Sequence, residues 1–456
     1  MNPIIVFFSS IDFDFIYQRP QALVEKISER KIPVYYFERS FRKDGSLNRS
    51  RLKYRHDDSI RKINDFLTIV RVNRYFEFLG IHFRFRGKLM RCFIKGWITS
   101  FLKTLARRGR LIAVFEGVTW WNEYVGDFPF DKRCFDLIDD PAVFGDHAGR
   151  EQAIAELTQT LDACDHVFYT ADRLGEYVKS YIKGVKAIHI PNGVLWERFQ
   201  NPQRSGEIDA FRDGYQKIIG YVGYLGAWID VETLAYCTRR LTDHAFVFVG
   251  PGLEKVLQPL RSLPNVRLLG TRPHAEIPSC IASFDVCLNP FIIGKIGDST
   301  NPIKLYEYFA CGKPVVSTAI REALGVRELL YVGSDKTDFC RKVMAAATEN
   351  DPSLAEKRRE FARQNSWDHR VETLLDAVLA GKSKKSENAT RLHAGPSKTQ
   401  SLSFAKRRSK LRRGVLSMRH LAPFDKSILS PRSGIRTQGA EQSDFLDLPK
   451  PRRPDA

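Results

Sequence analysis

The sequence predicts an α/β protein: two doubly wound, Rossmann-like domains facing a cleft, followed by a disordered basic tail. Three observations predict it. Apolar strands alternate with helical patterns through the first 380 residues, the alternation restarts near Pro191, and the pattern collapses after about Gly381. A chain of 456 residues also exceeds what one hydrophobic core serves. The expected divisions are 1–190, 191–380 and 381–456.

The elements follow in order. "PIIVFFS" (3–9) is an apolar run ending in small polar residues, "IDFDFIYQRP" a loop, "QALVEKISERK" a helix and "IPVYYFE" a second strand, together a β-α-β unit. Further strands are "LIAVFEG" (111–117), "CFDLIDD" (134–140), "DHVFYTA" (165–171) and "KAIHIPNG" (186–193), with helices over 151–163 and 172–183. The second series runs from "KIIGYVGYLG" (217–226) through a helix near 230–240, then "AFVFVGP", "NVRLLGT", "FDVCLNPF", "PVVST" and "LLYVG". Strands ending in Gly, Pro or Asp feed helices through short loops. "NSWDHRVETLLDAVLA" (365–380), behind an expected Ser366 N-cap, closes the ordered part.

Composition narrows the function. The net charge of +19 divides into +12 from residues 381–456 and +9 from residues 84–110, leaving the remainder about −2. The tail is rich in Lys, Arg, Ser and Pro and lacks clustered apolar residues, so it cannot offset its ordering entropy. Its few aromatics argue against specific nucleic-acid binding, although basic segments bind phosphate backbones nonspecifically. No apolar run approaches the roughly 20 residues of a membrane-spanning helix, and "MNPIIVFFSS" lacks the basic start of a signal peptide. A cytoplasmic location is therefore expected. The eight cysteines show no C-x-x-C spacing, which argues against a zinc site or a disulfide framework.

The densest signal is "DSTNPIKLYEYFACGKPVVST" (298–318). Thr300 or Asn301 can cap a helix with Pro302 in its first turn, and Gly312 suits the left-handed residue that ends it, giving a helix over about 302–311. Its N-terminal amides would bind an anion, with Lys304 adding a full charge within one turn. Glu307 lies too deep to help a phosphate but can accept two hydrogen bonds from a vicinal diol such as a ribose. Together these suit a nucleoside diphosphate lying along the helix start; the alternative is an ordinary capped helix with a solvated glutamate.

"NPIKLYEYFACGKPVVST" resembles the donor-site motif of the group 1 retaining glycosyltransferases of GT-B fold, and "HIPNGVLWERF" (189–199) resembles that family's hinge segment, with Leu195 where Asp is usual. "IIGYVGYLGAWID" is similar to the loop that opens its donor domain. "YQRPQALVEKISERK" is similar to a subgroup associated with teichuronic-acid-like and other surface polysaccharides. The resemblance implies donor contacts at Gly223, Thr300, Asn301, Lys304, Leu305 and Glu307, and retention without a cofactor or metal, the nucleotide sugar being a substrate. Two departures stand out. Ser299 occupies the place of a frequent first acid, and "YVGYLGAWID" lacks the usual basic residues, leaving Lys304 and backbone amides for the diphosphate. "DFD" (12–14) has the D-x-D metal pattern but follows a first strand, so no metal is expected.

The acceptor side falls to the first domain. Asp139, Asp140 and Glu116, at the ends of strands facing the cleft, are candidates to orient or deprotonate an acceptor hydroxyl. Arg19 could meet an acceptor phosphate or make a helix-start salt bridge. Over 84–110, Phe85, Leu89, Phe93, Trp97, Phe101 and Leu105 repeat at i+4, with Ile94, Ile98 and Leu102 beside them and Arg91, Lys95, Lys103 and Arg107 on another row. That pattern suits a helix on an anionic membrane surface or one packed on a core. The expected function is a glycosyltransferase acting on a glycan or lipid-linked acceptor, peripheral at the inner membrane face. A nucleotide-sugar epimerase of the same fold and a non-catalytic nucleotide-sugar-binding scaffold are the alternatives.

Overall fold

Strands that read as continuous apolar runs are buried on both faces, and here they build two sheets. The structure, a computed structural model, describes residues 2–38, 60–72, 84–117, 119–140, 147–181 and 186–380. The tail expected over 381–456 lies outside them. All described residues belong to one contact unit, Met1–Ala422.

The first sheet has eight strands: β1 (Pro3–Phe8), β2 (Val34–Glu38), β3 (Ile60–Lys62), β4 (Leu67–Arg71), β5 (Arg110–Glu116), β6 (Lys132–Leu137), β7 (His166–Tyr169) and β8 (Lys186–His189), in the order β3-β4-β2-β1-β5-β6-β7-β8. Every pair is parallel except β3–β4. The β3–β4 hairpin was not expected from the sequence: "IRK" is a polar edge, and "LTIVR" lacks a following helix pattern. The second sheet has six parallel strands: β9 (Ile218–Val222), β10 (Ala245–Val249), β11 (Val266–Gly270), β12 (Val286–Asn289), β13 (Val315–Thr318) and β14 (Tyr331–Gly333), in the order β11-β10-β9-β12-β13-β14.

In both sheets the chain reverses direction beside its first strand, between β1 and β5 and between β9 and β12. Doubly wound sheets bind ligands outside the carboxyl ends of their strands at such switch points.

The helices that position the site are α1 (Arg19–Glu29), α2 (Arg84–Ala106), α3 (His147–Asp162), α4 (Asp172–Tyr181), α5 (Val231–Arg240), α6 (Glu254–Arg261), α7 (Ile277–Ser283), α8 (Ile303–Ala310), α9 (Arg321–Gly325), α10 (Lys336–Ala347), α11 (Pro352–Gln364) and α12 (Trp367–Leu379). Ser366 caps α12 by accepting from the His369 amide. Although α12 follows the second sheet, it packs on α1 of the first half. Trp367 is buried there, and Asp368 pairs with Lys26 at 3.0 Å and Arg30 at 3.2 Å. The chain therefore crosses between the halves twice, at 190–194 and at 365–367. The crossings are stitched together, the Val194 amide donating to Asn365 O and the Trp367 amide to Val194 O.

Helix α2 runs unbroken through Gly96 and divides the expected apolar face. Ile94, Ile98, Leu102 and Leu105 are buried against the sheet, whereas Leu89, Phe93 and Trp97 are 56%, 57% and 38% exposed. An i+4 row drifts about 40° per step around a helix of 3.6 residues per turn. A row that ends on the core at Leu105 therefore begins in solvent. The side chain of Phe85 lies outside the described set. Arg91 pairs with Glu123 and Lys95 with Asp127, while Lys103 and Arg107 stay exposed.

Candidate active site

Helix α8 starts at the carboxyl edge of the second sheet. Pro302 is its N-cap, with no side-chain cap bond, so Thr300 and Asn301 do not cap it. Thr300 donates its hydroxyl to Ile296 O at 2.8 Å, and Asn301 turns to the other half of the molecule. The helix ends as expected: Gly312 has φ +66°, its amide donates to Phe309 O and that of Lys313 to Tyr308 O, the Schellman pattern that needs a left-handed residue after the C-cap. A proline start and a glycine stop leave the first-turn amides open at the sheet edge.

Lys304 leans from this first turn into the switch point. Its Nζ lies 5.3 Å from the ring centre of Tyr221 on β9 and 4.5 Å from that of Phe291 just after β12. Gly223, at φ +130°, follows β9, and a β-carbon there would stand 3.3 Å from Lys304 Cε. Gly250 packs so closely that a β-carbon on it would meet Gly223 O at 2.1 Å. Burial pulls the Lys304 ammonium down to about 8, with Glu307 opposing the shift. An ammonium over two aromatic faces with only a distant carboxylate is a cation that an incoming diphosphate would stabilise. Leu305 is buried and its amide donates to Pro302 O, so it shapes the helix rather than offering a donor.

Glu307 sits one turn deeper, at the edge of the buried range. His274 Nε2 is 3.4 Å from its Oε1, and the imidazole stacks on Tyr17 of the first half with centroids 4.2 Å apart and planes 21° apart. Tyr17, Gln18, His274, Ile303, Glu307 and Trp367 line a narrow pocket between the halves. His274 Nδ1 is buried without a hydrogen-bond partner among the described residues. His274 and Tyr17 were not foreseen: only the meeting of the halves brings them to Glu307.

Arg19 is spent on structure. Only 3% exposed, it grips Asp136 with Nε and Nη2, both at 2.8 Å, and its Nη1 donates to Pro191 O at 3.1 Å and Asn192 Oδ1 at 3.3 Å. The helix-start salt bridge is the arrangement observed, and the guanidinium has no face left for an acceptor phosphate. Asn301 meets the same crossing between the halves. Its Oδ1 accepts from the Asn192 amide at 2.8 Å, its carbonyl accepts from Asn192 Nδ2 at 2.6 Å, and its Nδ2 donates to Tyr306 OH and to Glu322 Oε2. In this conformation it holds the start of α8 against the first half.

The acceptor-side candidates differ among themselves. Glu116 ends β5 at the first sheet's switch point and is fully buried. Its Oε2 accepts from Ser9 Oγ at 2.9 Å and from the Ser10 amide and Oγ at 3.0 Å, while Oε1 has no partner among the described residues. Burial pushes its carboxyl up to about 7 against the pull of those donors. Asp139 and Asp140 follow β6, Asp139 exposed and Asp140 buried. Asp14 of the D-x-D pattern is held by Arg61 and Arg71, each at 2.7 Å, and no group of three or more metal-ligating side chains occurs among the described residues.

Comparison with known proteins bears on the family and the fold. Residues 216–349, which contain the second sheet and α8, match the family model "Glycosyl transferases group 1". A "Putative teichuronic acid biosynthesis glycosyltransferase TuaH" of Bacillus subtilis (strain 168) is 29% identical over 229 residues, 47% of this chain and 56% of that protein. The chain thus spans little more than half the length of this curated relative. Among solved structures, the sucrose-phosphate synthase of Thermosynechococcus elongatus is similar with a TM-score of 0.61 at 15% identity, covering 82% of this chain and 97% of that one. A trehalose-6-phosphate protein from E. coli, solved bound with UDP-2-fluoro glucose, is similar with a TM-score of 0.60 at 10% identity, covering 83% and 99%. The fold is GT-B.

Proposed function

We propose, from a second half whose residues 216–349 match the family model of the group 1 glycosyl transferases, that the protein is a glycosyltransferase. It moves a sugar from a nucleoside diphosphate donor to a glycan or lipid-linked acceptor, with retention. The observation that carries this reading is Lys304, a half-buried ammonium at the β9/β12 switch point, with Glu307 one turn deeper on the same helix. A diphosphate at the α8 tip and a ribose diol on Glu307 satisfy both. The names of the Bacillus subtilis relative and the ligand of the E. coli neighbour support a nucleotide sugar and an envelope glycan.

In the reaction, charge develops on the departing diphosphate. Lys304 and the first-turn amides of α8 are aimed where it collects, the demand that electrostatic preorganisation meets best. Asp139 is exposed at the carboxyl edge of the acceptor sheet and is the candidate to orient the acceptor hydroxyl, with Asp140 beside it. Glu116, buried and held by two serines, braces the switch point beneath them. One observation favours the scaffold alternative: Ser299, where a partner acid is frequent, is buried with an unpartnered Oγ among the described residues.

Donor screening separates the readings. Purified protein is expected to bind UDP or GDP and to turn over one of their sugars, and Glu307→Ala, which removes two hydrogen bonds to a charged group at about 1.5–3 kcal/mol each, should weaken nucleotide binding at least a hundredfold. Binding without turnover would favour the scaffold, and an epimerised nucleotide sugar formed without acceptor would favour the epimerase. Equal nucleotide affinity in both proteins would sink the donor-site assignment.

The acceptor half carries the membrane reading. No helix among the described residues is long and apolar enough to cross a bilayer, yet α2 presents Leu89, Phe93 and Trp97 outward, with Lys103 and Arg107 exposed further along. This is the form of a helix resting on an anionic surface, placing the enzyme at the cytoplasmic face beside a lipid-linked acceptor. Burying each large side chain contributes about 1.5–3 kcal/mol. The triple change Leu89→Ser, Phe93→Ser, Trp97→Ser is expected to abolish flotation with phosphatidylglycerol vesicles while leaving nucleotide binding intact; unchanged flotation would refute it.

A further inference from the structure

A further link between the halves is made by the start of α9, which is separated from β13 by two residues. Arg321 and Glu322 lie outside the donor motif, and above Glu322 appears only as a partner of Asn301. Glu322 is half-buried and divides its two oxygens between the halves. Oε2 accepts from Asn301 Nδ2 at 2.7 Å, and Oε1 accepts from the backbone amide of Asp172, the first residue of α4, at 3.3 Å. One turn along α4, Glu176 is gripped by both terminal nitrogens of Arg321 at 3.0 and 2.6 Å. A carboxylate on the first amide of a helix also meets the positive end of its dipole. Asn301, the other partner, immediately precedes the Pro302 N-cap, so whatever fixes Asn301 fixes the tip of α8.

We infer that Glu322 is a positioning residue that ties the tip of the donor helix to α4 of the acceptor half and so sets the distance between donor and acceptor. The inference rests on the donor-site reading above and deepens it. Glu322 is bonded to neither Lys304 nor Glu307, so its part is in spacing the halves rather than in contacting the donor. It holds the closed cleft in which the sugar meets an acceptor hydroxyl rather than water. Reacting groups must be held within a few tenths of an ångström for effective transfer, and a cleft that gapes admits water to a reactive donor. Arg321–Glu176 is exposed and adds little by itself; the half-buried Glu322 bridge decides the geometry.

The test uses the full chain. Glu322→Ala is expected to lower kcat for transfer at least tenfold, to leave the dissociation constant for UDP or GDP within twofold, and to raise the share of donor lost to hydrolysis severalfold. Glu322→Gln, which keeps one of the two bonds, should recover part of the loss. Hydrogen exchange reads the same link without activity: peptides over 170–175 and 191–194 should lose protection in Glu322→Ala, while β9 and β10 keep theirs. Unchanged partition between transfer and hydrolysis, or protection lost throughout the second half together with donor affinity, overturns the inference. If the wild-type chain binds no nucleotide, the donor-site reading fails, and the exchange experiment still decides whether Glu322 joins the halves.

Discussion

Replacing Lys304 by methionine is expected to lower kcat for sugar transfer by about two to three orders of magnitude, the scale on which a single preorganised charge at a developing anion acts. The fold should survive. Lys304 sits over Tyr221 and Phe291 with its ammonium partly stripped of water, and folding lowers its pKa to about 8. A lysine whose pKa falls on folding costs the folded state stability at pH below about 8, and that cost fades as pH rises towards its unfolded value near 10.4. Methionine removes the cost, so the variant should melt no lower than the wild type, which separates a catalytic loss from an unfolding one.

The same group sets a pH dependence. A diphosphate needs the ammonium form, so nucleotide affinity should fall above about pH 8, by as much as tenfold per pH unit, until the pKa in the complex is reached. Lys304→Arg keeps its charge at every working pH, and its affinity profile should lose the break near 8. Isothermal titration of UDP and GDP between pH 6.5 and 9.5 measures both. A break that persists in the arginine variant would assign the titration to another group.

What could be read from the sequence was local. The parallel strands were legible because burial on both faces makes them nearly uninterrupted apolar runs, as in "PIIVFF" and "AFVFV". Helix α8 was legible because Pro302, Lys304, Glu307 and Gly312 fall within or just beside one short element, whose geometry fixes their order. Partnerships between distant segments were not. Arg19 and Asp136 are 117 positions apart and Asn192 and Asn301 are 109, so nothing in either neighbourhood says that the arginine is already spent or that the asparagine spans the hinge. The i+4 row of α2 left two readings open for a different reason, the angular drift that carries one end of the row into the core and the other into solvent. His274 shows the same limit as Arg19: a histidine after a strand says little until a tyrosine from the other half stacks on it.

Asp136→Ala is the substitution expected to cost the most stability. Both partners of the Arg19–Asp136 pair are buried, the guanidinium 3% exposed and the carboxylate not at all, so removing the carboxylate strands a cation at the base of the cleft. Breaking a buried pair from one side costs about 3–5 kcal/mol, because the remaining charge keeps its desolvation penalty without its partner. In domains of this size about 1 kcal/mol shifts the melting temperature by 2–4 °C, which predicts a drop of about 6–20 °C by calorimetry. The stranded arginine would still reach Pro191 O and Asn192 Oδ1, so the loss should be smaller than that of a wholly unpartnered charge and should bear on the hinge first. Removing the charge as well discriminates the cause: Arg19→Met with Asp136→Leu, similar in bulk and neutral, should recover most of the stability. If the double variant is no more stable than Asp136→Ala, the pair matters for the shape of the hinge and not for its charge balance.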